Sequence, residues 1–447
     1  MTLDRRSLLG AGAAAGLAVG VTAGARPAMA RASAPHRDIG LVSGSAIDQA
    51  PVLQQAIDAA AASGAPLELP PGRFRVGPLR LPAGTRLIGA AGTTTLEYAG
   101  GGSFISADDA DHISIESVML DGAYLPLDAD GLIAITNARS VHLTRLTLTR
   151  SPTNGISLTR CAGSVADCNI TNAMQAAIRS IDAAGLELTH NDIADCGNAG
   201  IQVWRSDAGE DGSIVTGNRI ARIRADGGGS GQNGNGVSIF RAGSVVVSAN
   251  RITDCAFTAV RGNAANDIQI IGNSCARLGE VAIYAEFGFE GALIANNLVD
   301  TAATGITVTN FNDGGRLAVV QGNLVRNLFR REHEPVDKRG HGITVEADTA
   351  LTGNVIEKAP TAGIVIGWGA YMREVVATSN LVRASKVGIL VSSDPGTGAC
   401  LLANNLISGA TNGSIRAMDS NGDPTGAELV QGGSSDKQLS ITGNLSV

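Results

Sequence analysis

From residue 66 onward the sequence is a succession of short alternating runs. Leu186 to Val203 reads LELTHNDIADCGNAGIQV, Ala292 to Val308 reads ALIANNLVDTAATGITV, and Val375 to Val391 reads VVATSNLVRASKVGILV. Each unit is an alternating strand, an Asn, a short second strand, a variable loop and a third strand of the form Gly-Ile-x-Val. Alternation of period two sends Ile, Leu and Val to one face and polar residues to the other. The Asn recurs at 169, 191, 218, 250, 273, 297, 323, 354, 380, 405 and 444, and the first nine intervals run from 22 to 32 residues. A repeat of this length marks a stacked architecture. Three strands per coil and about 24 residues per coil predict an all-β fold, a single-stranded right-handed parallel β-helix. A propeller is disfavoured because its blades need about 40 residues. In this reading Asn takes the left-handed conformation at the bend, and its stacked amides hydrogen-bond along the axis. The Gly before Ile lets the chain turn a sharp corner.

Residues 50–63, APVLQQAIDAAAAS, predict an amphipathic helix that ends at Gly64, with Asp48 as its cap. It would cover the open N-terminal end of the core, where an uncovered sheet edge invites aggregation. Ahead of it lies an address. Asp4-Arg5-Arg6-Ser7-Leu8-Leu9 precedes an Ala/Gly/Val-rich run to Val21, and Ala28-Met29-Ala30 has the small-x-small form of a cleavage site. This reads as a twin-arginine signal peptide. The expected organisation is a signal over 1–30, a leader segment and capping helix over 31–65, and the β-helix over 66–447. The expected location is periplasmic or secreted, with the twin-arginine translocase as partner during export.

Composition narrows the classes. The chain has 447 residues, 58 of them Gly, and only 3% aromatics, which argues against a helical bundle. Its net charge is −7, and removal of residues 1–30 takes out three Arg and one Asp to leave −9. No basic stripe is present, so nucleic acid is not an expected partner. No run of 18 apolar residues follows residue 30, so the mature chain carries no expected membrane span. Cysteines stand at 161, 168, 196, 255, 275 and 400. Cys196 and Cys255 share a slot two rungs apart, beyond disulfide reach, and the set reads as small buried hydrophobes.

From Ala56 to Leu96, the helix followed by LELPPGRFRV and LPAGTRLIGAAGTTTLEY resembles the start of pectate-lyase-type β-helix proteins. The leader and Asn-Gly repeat together also resemble an uncharacterised family of Tat-exported repeat proteins. The first resemblance implies the same right-handed fold, in a superfamily that holds lyases, hydrolases, epimerases, tailspikes and adhesins. It does not choose a reaction. The calcium aspartates of pectate lyases and the paired aspartates of polygalacturonases are not evident.

Loop lengths locate a candidate site. Most coils use eight or nine residues from Asn to the next corner, whereas Asn218 to Gly236 takes eighteen and Asn323 to Gly342 takes nineteen. The insertions 219–235 and 324–341 leave at the same corner and would wall a groove. Counting from each corner, the outward columns carry Gln202, Ser238, Arg261, Tyr284, Thr307 and Thr344, and beside them Trp204, Phe240, Asn263, Glu286, Thr309 and Glu346. Trp204, Phe240 and Tyr284 form an expected sugar platform, with Asn263 and Thr309 as further substrate contacts. Glu286 and Glu346 lie two rungs apart, about 9.5 Å, at the upper end of the spacing for inverting glycoside hydrolysis. Alternatively, Arg261 neutralises a uronate while His341, Tyr284 or a Glu acts as base, as a lyase or epimerase requires. The second insertion, Arg330 to His341, is the densest ionisable cluster.

No cofactor is expected. Calcium stays open at the acidic turns Asp207, Glu210, Asp211 and Asp108, Asp109, Asp111, though neither has EF-hand spacing. The expected function is an exported β-helix protein acting on a polysaccharide or other extended glycan, as lyase, hydrolase or epimerase. The alternative is a carbohydrate-binding or envelope-structural β-helix without catalysis.

Overall fold

The computed structural model describes residues 39–331, 340–430 and 438–447. The twin-arginine leader lies outside them, as do residues 332–339 of the second insertion. The chain winds as a parallel β-solenoid of about 14 turns. One ladder of fifteen strands runs from Leu67–Glu68 to Leu439–Thr442. The other two strand positions of each coil stack in parallel beside it, and in Ser274–Glu286 and Leu298–Val308 they merge into one long strand.

The inward columns explain the register. Ile201, Val237, Val260, Ile283, Ile306, Ile343, Ile364, Ile389 and Ile415 follow one another rung by rung. All are buried. A one-residue slip would turn this column out to solvent and its polar neighbours into the core, so burial fixes the pairing. The coils from Ile201 to Val237 and from Ile306 to Ile343 are the long ones, and they contain the two insertions.

Asn forms the second column. Asn191, Asn218, Asn250, Asn273, Asn297, Asn323, Asn354, Asn380, Asn405 and Asn444 stack along the axis. In the middle of the stack, the Asn250 backbone N–H and Nδ2 both donate to Asn273 Oδ1 at 3.0 Å, and Nδ2 also reaches the Val215 carbonyl at 2.9 Å. Asn273 repeats the pattern on Asn297 and Val247. Every amide at the bend is thereby satisfied without water, which a buried polar column requires.

Two expectations about these positions change. The left-handed residue is the one before the Asn: His190, Ala249 and Ser379 have φ of 56°, 54° and 57°. Asn169 also stands one place off the column. It pairs with Thr147 and Asp192 and is exposed, and Cys168 fills the slot, its N–H donating to Asn191 Oδ1 at 3.0 Å. The corner glycines are not left-handed either. A Cβ on Gly305 would lie 2.4 Å from the Gly342 carbonyl oxygen, and one on Gly342 would lie 2.2 Å from that of Gly363. Close stacking of successive coils, not unusual φ, excludes a side chain there.

Helix α1 (Ala50–Ser63) buries Leu53 and Ile57 over the first coil and stops at Gly64, φ 70°. Its N-cap is Gln49, but Asp48 Oδ1 accepts the Ala50 N–H at 2.9 Å and the Gly77 N–H at 2.7 Å, tying helix to coil. All six cysteines are free and buried. Burial pushes the Cys168 thiol up to about 11 and those of Cys196, Cys275 and Cys400 to about 12. They are packing residues, not nucleophiles. No helix among the described residues is long and apolar enough to cross a membrane.

Candidate functional site

The site face is the ladder that contains Val260–Asn263, Ser274–Glu286, Leu298–Val308, His341–Val345 and Ala362–Ile366. Its outward register runs Ser238, Arg261, Tyr284, Thr307, Thr344, Val365, Leu390. A cavity of about 450 Å³ lies along it, spanning the coils from Arg261 to Met418. Arg261, Tyr284, Glu286, Thr309, His341 and Glu346 all line this cavity.

Strand pairing places Glu286 beside Asn263 and Arg261 beside Tyr284. Arg261 Nε donates to Glu286 Oε1 at 2.6 Å and Nη2 donates to Oε2 at 2.9 Å. Asn263 Nδ2 adds a third bond to Oε1 at 2.9 Å. The guanidinium lies 4.9 Å from the Tyr284 ring centre, a cation–π contact. Its Nη1 donates to the Ser230 carbonyl at 2.7 Å, so the glycine-rich first insertion folds down onto the cavity. Glu280 approaches the same Nη1 at 3.5 Å, and Arg331 from the second insertion stands 3.7 Å from Glu280. Arg261, Glu280 and Glu286 are all buried. A buried pair in a low dielectric holds only when its acceptors are met, and both Glu286 oxygens are met, by Arg261 and Asn263. Glu286 thus holds Arg261 in one orientation through two parallel hydrogen bonds.

Glu346 is different. It is buried with no cationic partner among its hydrogen bonds, and its Oε2 accepts the Phe311 N–H at 2.7 Å. Burial pushes its carboxyl up to about 7, the Phe311 and Asn310 backbone offsetting part of the effect. His341, at the re-entry of the second insertion into the coil, is driven down to about 4 by burial and by the Arg330 charge, so its ring is neutral. Its Nδ1 is sealed from solvent and has no hydrogen-bond partner. Burial, and then the Glu286 charge, raise the Tyr284 phenol well above its ordinary value, so it stays protonated. Among the acidic side chains that line the cavity, Glu286 is paired to a guanidinium while Glu346 titrates near neutrality, the kind of division that separates acid from base.

The expected aromatic platform divides. Tyr284 lines the cavity, but Trp204 and Phe240 lie outside its lining, packed edge to face at 6.1 Å. Trp204 Nε1 donates to Ser238 Oγ at 3.1 Å, and Arg241 lies 4.8 Å from the Phe240 ring centre. Asn263 is likewise outside the lining, where it serves Glu286. The cavity's exposed aromatics are instead Phe287, Trp368 and Tyr371, and the coil count missed the last two because they sit in a turn. Gly367 makes that turn possible: φ is 79°, and a Cβ would lie 2.7 Å from Met372 Cβ. The run Gly367-Trp368-Gly369-Ala370-Tyr371 was the available signal, two aromatics beside two glycines in a chain with 3% aromatics. Glu280 was also missed, standing two residues before the corner from which the coil positions are counted.

Residues 208–382 match the family described as a right handed beta helix region, and residues 113–277 match the family described as periplasmic copper-binding protein (NosD). No curated protein matches the sequence. An alginate lyase in complex with a trisaccharide aligns at a TM-score of 0.52 and 13% identity, covering 91% of this chain and 94% of that one. The tailspike protein of E. coli bacteriophage HK620, in complex with a pentasaccharide, aligns at 0.51 and 11%, covering 90% and 76%. An N-terminal fragment of bacteriophage phi29 gene product 12 aligns at 0.50 and 15%, covering 92% and 70%. The fold is a right-handed parallel β-helix. At these identities the likenesses carry the fold alone.

The copper in the second family's description finds no donor set here. Among the described residues no three His, Cys, Asp or Glu side chains gather as metal ligands. The cysteines are separately buried and protonated. In the acidic turns, Asp111 binds Arg139 at 2.8 Å, Asp109 accepts from Asn137, and Asp211 is buried against Ser213.

Proposed function

We propose that this β-helix binds a glycan in the cavity between Ser230 and the Trp368–Tyr371 turn and transfers a proton to or from it through Glu346. The observation that carries this reading is a buried carboxyl titrating near 7 in a cleft with a fixed Arg261–Glu286 pair and the exposed aromatics of the Trp368–Tyr371 turn. Trp368 and Tyr371 stack on sugar C–H faces, and Thr307, Thr309 and Thr344 offer hydroxyls. Protonated Glu346 donates to a leaving glycosidic oxygen, and its conjugate base accepts a proton from water or from a sugar carbon. Arg261 presents positive charge to a developing or resident anion, with Glu286 holding its plane. Neutral His341 and Tyr284 are the second proton carriers. The alignments with saccharide-bound β-helix proteins agree with a glycan ligand.

In this reading the protein works outside the cytoplasm. The twin-arginine leader and its small-x-small site support export by the twin-arginine translocase, and the periplasmic description of the family matched by residues 113–277 agrees.

A non-catalytic glycan receptor is the second reading. The completed Arg261–Glu286–Asn263 network favours it, since that network needs no substrate to satisfy it. Mass spectrometry of acidic and neutral polysaccharides after incubation with the mature protein separates the two. Fragments gaining water mean hydrolysis, and unsaturated fragments mean elimination. An epimerase leaves mass unchanged but exchanges deuterium from solvent into the sugar. Binding with no fragment and no exchange sinks the catalytic reading, and so does full activity in Glu346→Gln.

A further inference from the structure

The outward column of the site face changes character along the axis. Arg261, Tyr284, Thr307 and Thr344 are polar, and the next two rungs are Val365 and Leu390. On an ordinary coil those positions meet water. Here Val365 and Leu390 join Ala362, Val387 and Met418 in a small apolar cluster separate from the main core. Val365, Leu390 and Met418 also line the cavity that holds Glu346 and Arg261.

This end of the cavity is built as a wall. Trp368 and Tyr371 close a two-way backbone pair, with N–H to carbonyl distances of 2.8 and 3.2 Å. Ser392 Oγ donates to the Gly369 carbonyl at 2.5 Å and pins the turn to the following coil. Beyond it the chain folds back on itself, Ala417 and Met418 pairing antiparallel with Thr425 and Pro424. The parallel stack therefore does not continue as an open groove past Met418.

We infer that the Val365–Leu390–Met418 end is a subsite for a methyl-bearing group on the saccharide, either an acetyl or the C6 methyl of a deoxy sugar. It rests on the reading of the cavity as a glycan site. A ring anchored by its hydroxyls on Thr307 and Thr344 projects one substituent toward the wall. There a hydroxyl finds no partner in the apolar cluster, and a methyl displaces water from three apolar side chains. One such group in an apolar pocket discriminates by about 10-fold or more. Glu346 and Arg261 lie on the polar side of the boundary, so chemistry and substituent recognition occupy successive rungs.

The test is binding without turnover. Saturation-transfer NMR titration of full-length mature Glu346→Gln protein would use matched pairs: L-rhamnose against L-mannose, L-fucose against L-galactose, and N-acetylglucosamine against glucose. The first two pairs probe the deoxy methyl and the third the acetyl. The methyl-bearing member of at least one pair is expected to bind about 10-fold tighter. Val365→Thr, nearly isosteric, and Leu390→Asn should each reduce that preference to within about 2-fold, read at a temperature where circular dichroism shows each variant folded. Equal affinity within every pair overturns the inference but leaves the glycan reading standing. A preference that survives both substitutions places the subsite elsewhere and also overturns it. Absence of binding by all six sugars removes both readings.

Discussion

Glu346 links the chemistry of the cavity to the stability of the coil. Its carboxyl titrates near 7 in the fold, against 4.5 for an ordinary Glu, because burial disfavours its charged form. A raised carboxyl pKa means that between those values the folded chain holds a proton that the unfolded chain has lost. Stability falls with pH wherever the folded state binds more protons, so the Glu346 contribution is intact below pH 4.5 and lost as pH rises through 7. At 1.36 kcal/mol per pH unit the interval corresponds to about 3 kcal/mol. Gln has the same shape, stays neutral, and its amide oxygen still accepts the Phe311 N–H. Glu346→Gln should therefore match wild type at pH 4 and exceed it by about 3 kcal/mol at pH 8. For a coil of this size that is roughly 3 °C in Tm. The assay is thermal unfolding followed by circular dichroism at pH 4, 6 and 8, reading the difference between the two proteins so that other titrations cancel. Parallel Tm–pH curves would show that Glu346 ionises normally, and the proton-transfer role assigned to it would fall with that result.

Further outcomes follow from the same contacts. Arg261→Ala leaves the Glu280 and Glu286 carboxylates buried without their cation and should destabilise by about 3–5 kcal/mol, measured by urea unfolding; Lys should restore little, having no fork to match Glu286. Asn273→Leu removes the acceptor of two Asn250 donors and a donor to Val247, and should cost at least about 3 kcal/mol, whereas Asn444→Leu at the half-buried end of the column should cost less. His341 has a depressed folded pKa near 4, so its stabilisation is present above 6.5 and lost as pH falls through 4; His341→Gln should flatten the acid limb of the Tm–pH curve over that window. Trp368→Ala should weaken glycan binding about 5-fold or more in titration calorimetry without lowering Tm, because the ring is 42% exposed.

The fold was legible because each coil must solve the same packing problem. Inward Ile, Leu and Val keep their period of two whatever the loops do, and burial alone fixes the register from Ile201 to Ile415. The Asn column was visible for the same reason, since a buried amide that satisfies itself on its neighbours has to recur on every rung. What the spacing hid was which local constraint each position meets. Gly and Asn both tolerate the left-handed region, so their recurrence at bends suggested φ. The left-handed residue is one place earlier, and the glycines answer to a carbonyl 2.2–2.4 Å from where a Cβ would stand. That clearance depends on the adjacent coil, which lies 21 to 37 residues away in sequence.

The candidate site was legible to the extent that it lies on the ladder. Coil counting brought Arg261, Tyr284, Glu286, Thr309 and Glu346 onto one face, and His341 follows from the length of the second insertion. It failed where side chains turn sideways or leave the coil. Trp204 and Phe240 occupy the right columns but spend their rings on each other, Ser238 and Arg241, so exposure on a column is not availability to a ligand. The two glutamates look alike in sequence. Their difference arises because one has Arg261 and Asn263 on the preceding rung, while the other has a Gly on the following rung and backbone N–H groups nearby. Whether a buried carboxylate meets a guanidinium or only backbone N–H groups is therefore decided by adjacent rungs, and a single substitution there should move the chemistry more than one at the glutamate's own coil neighbours.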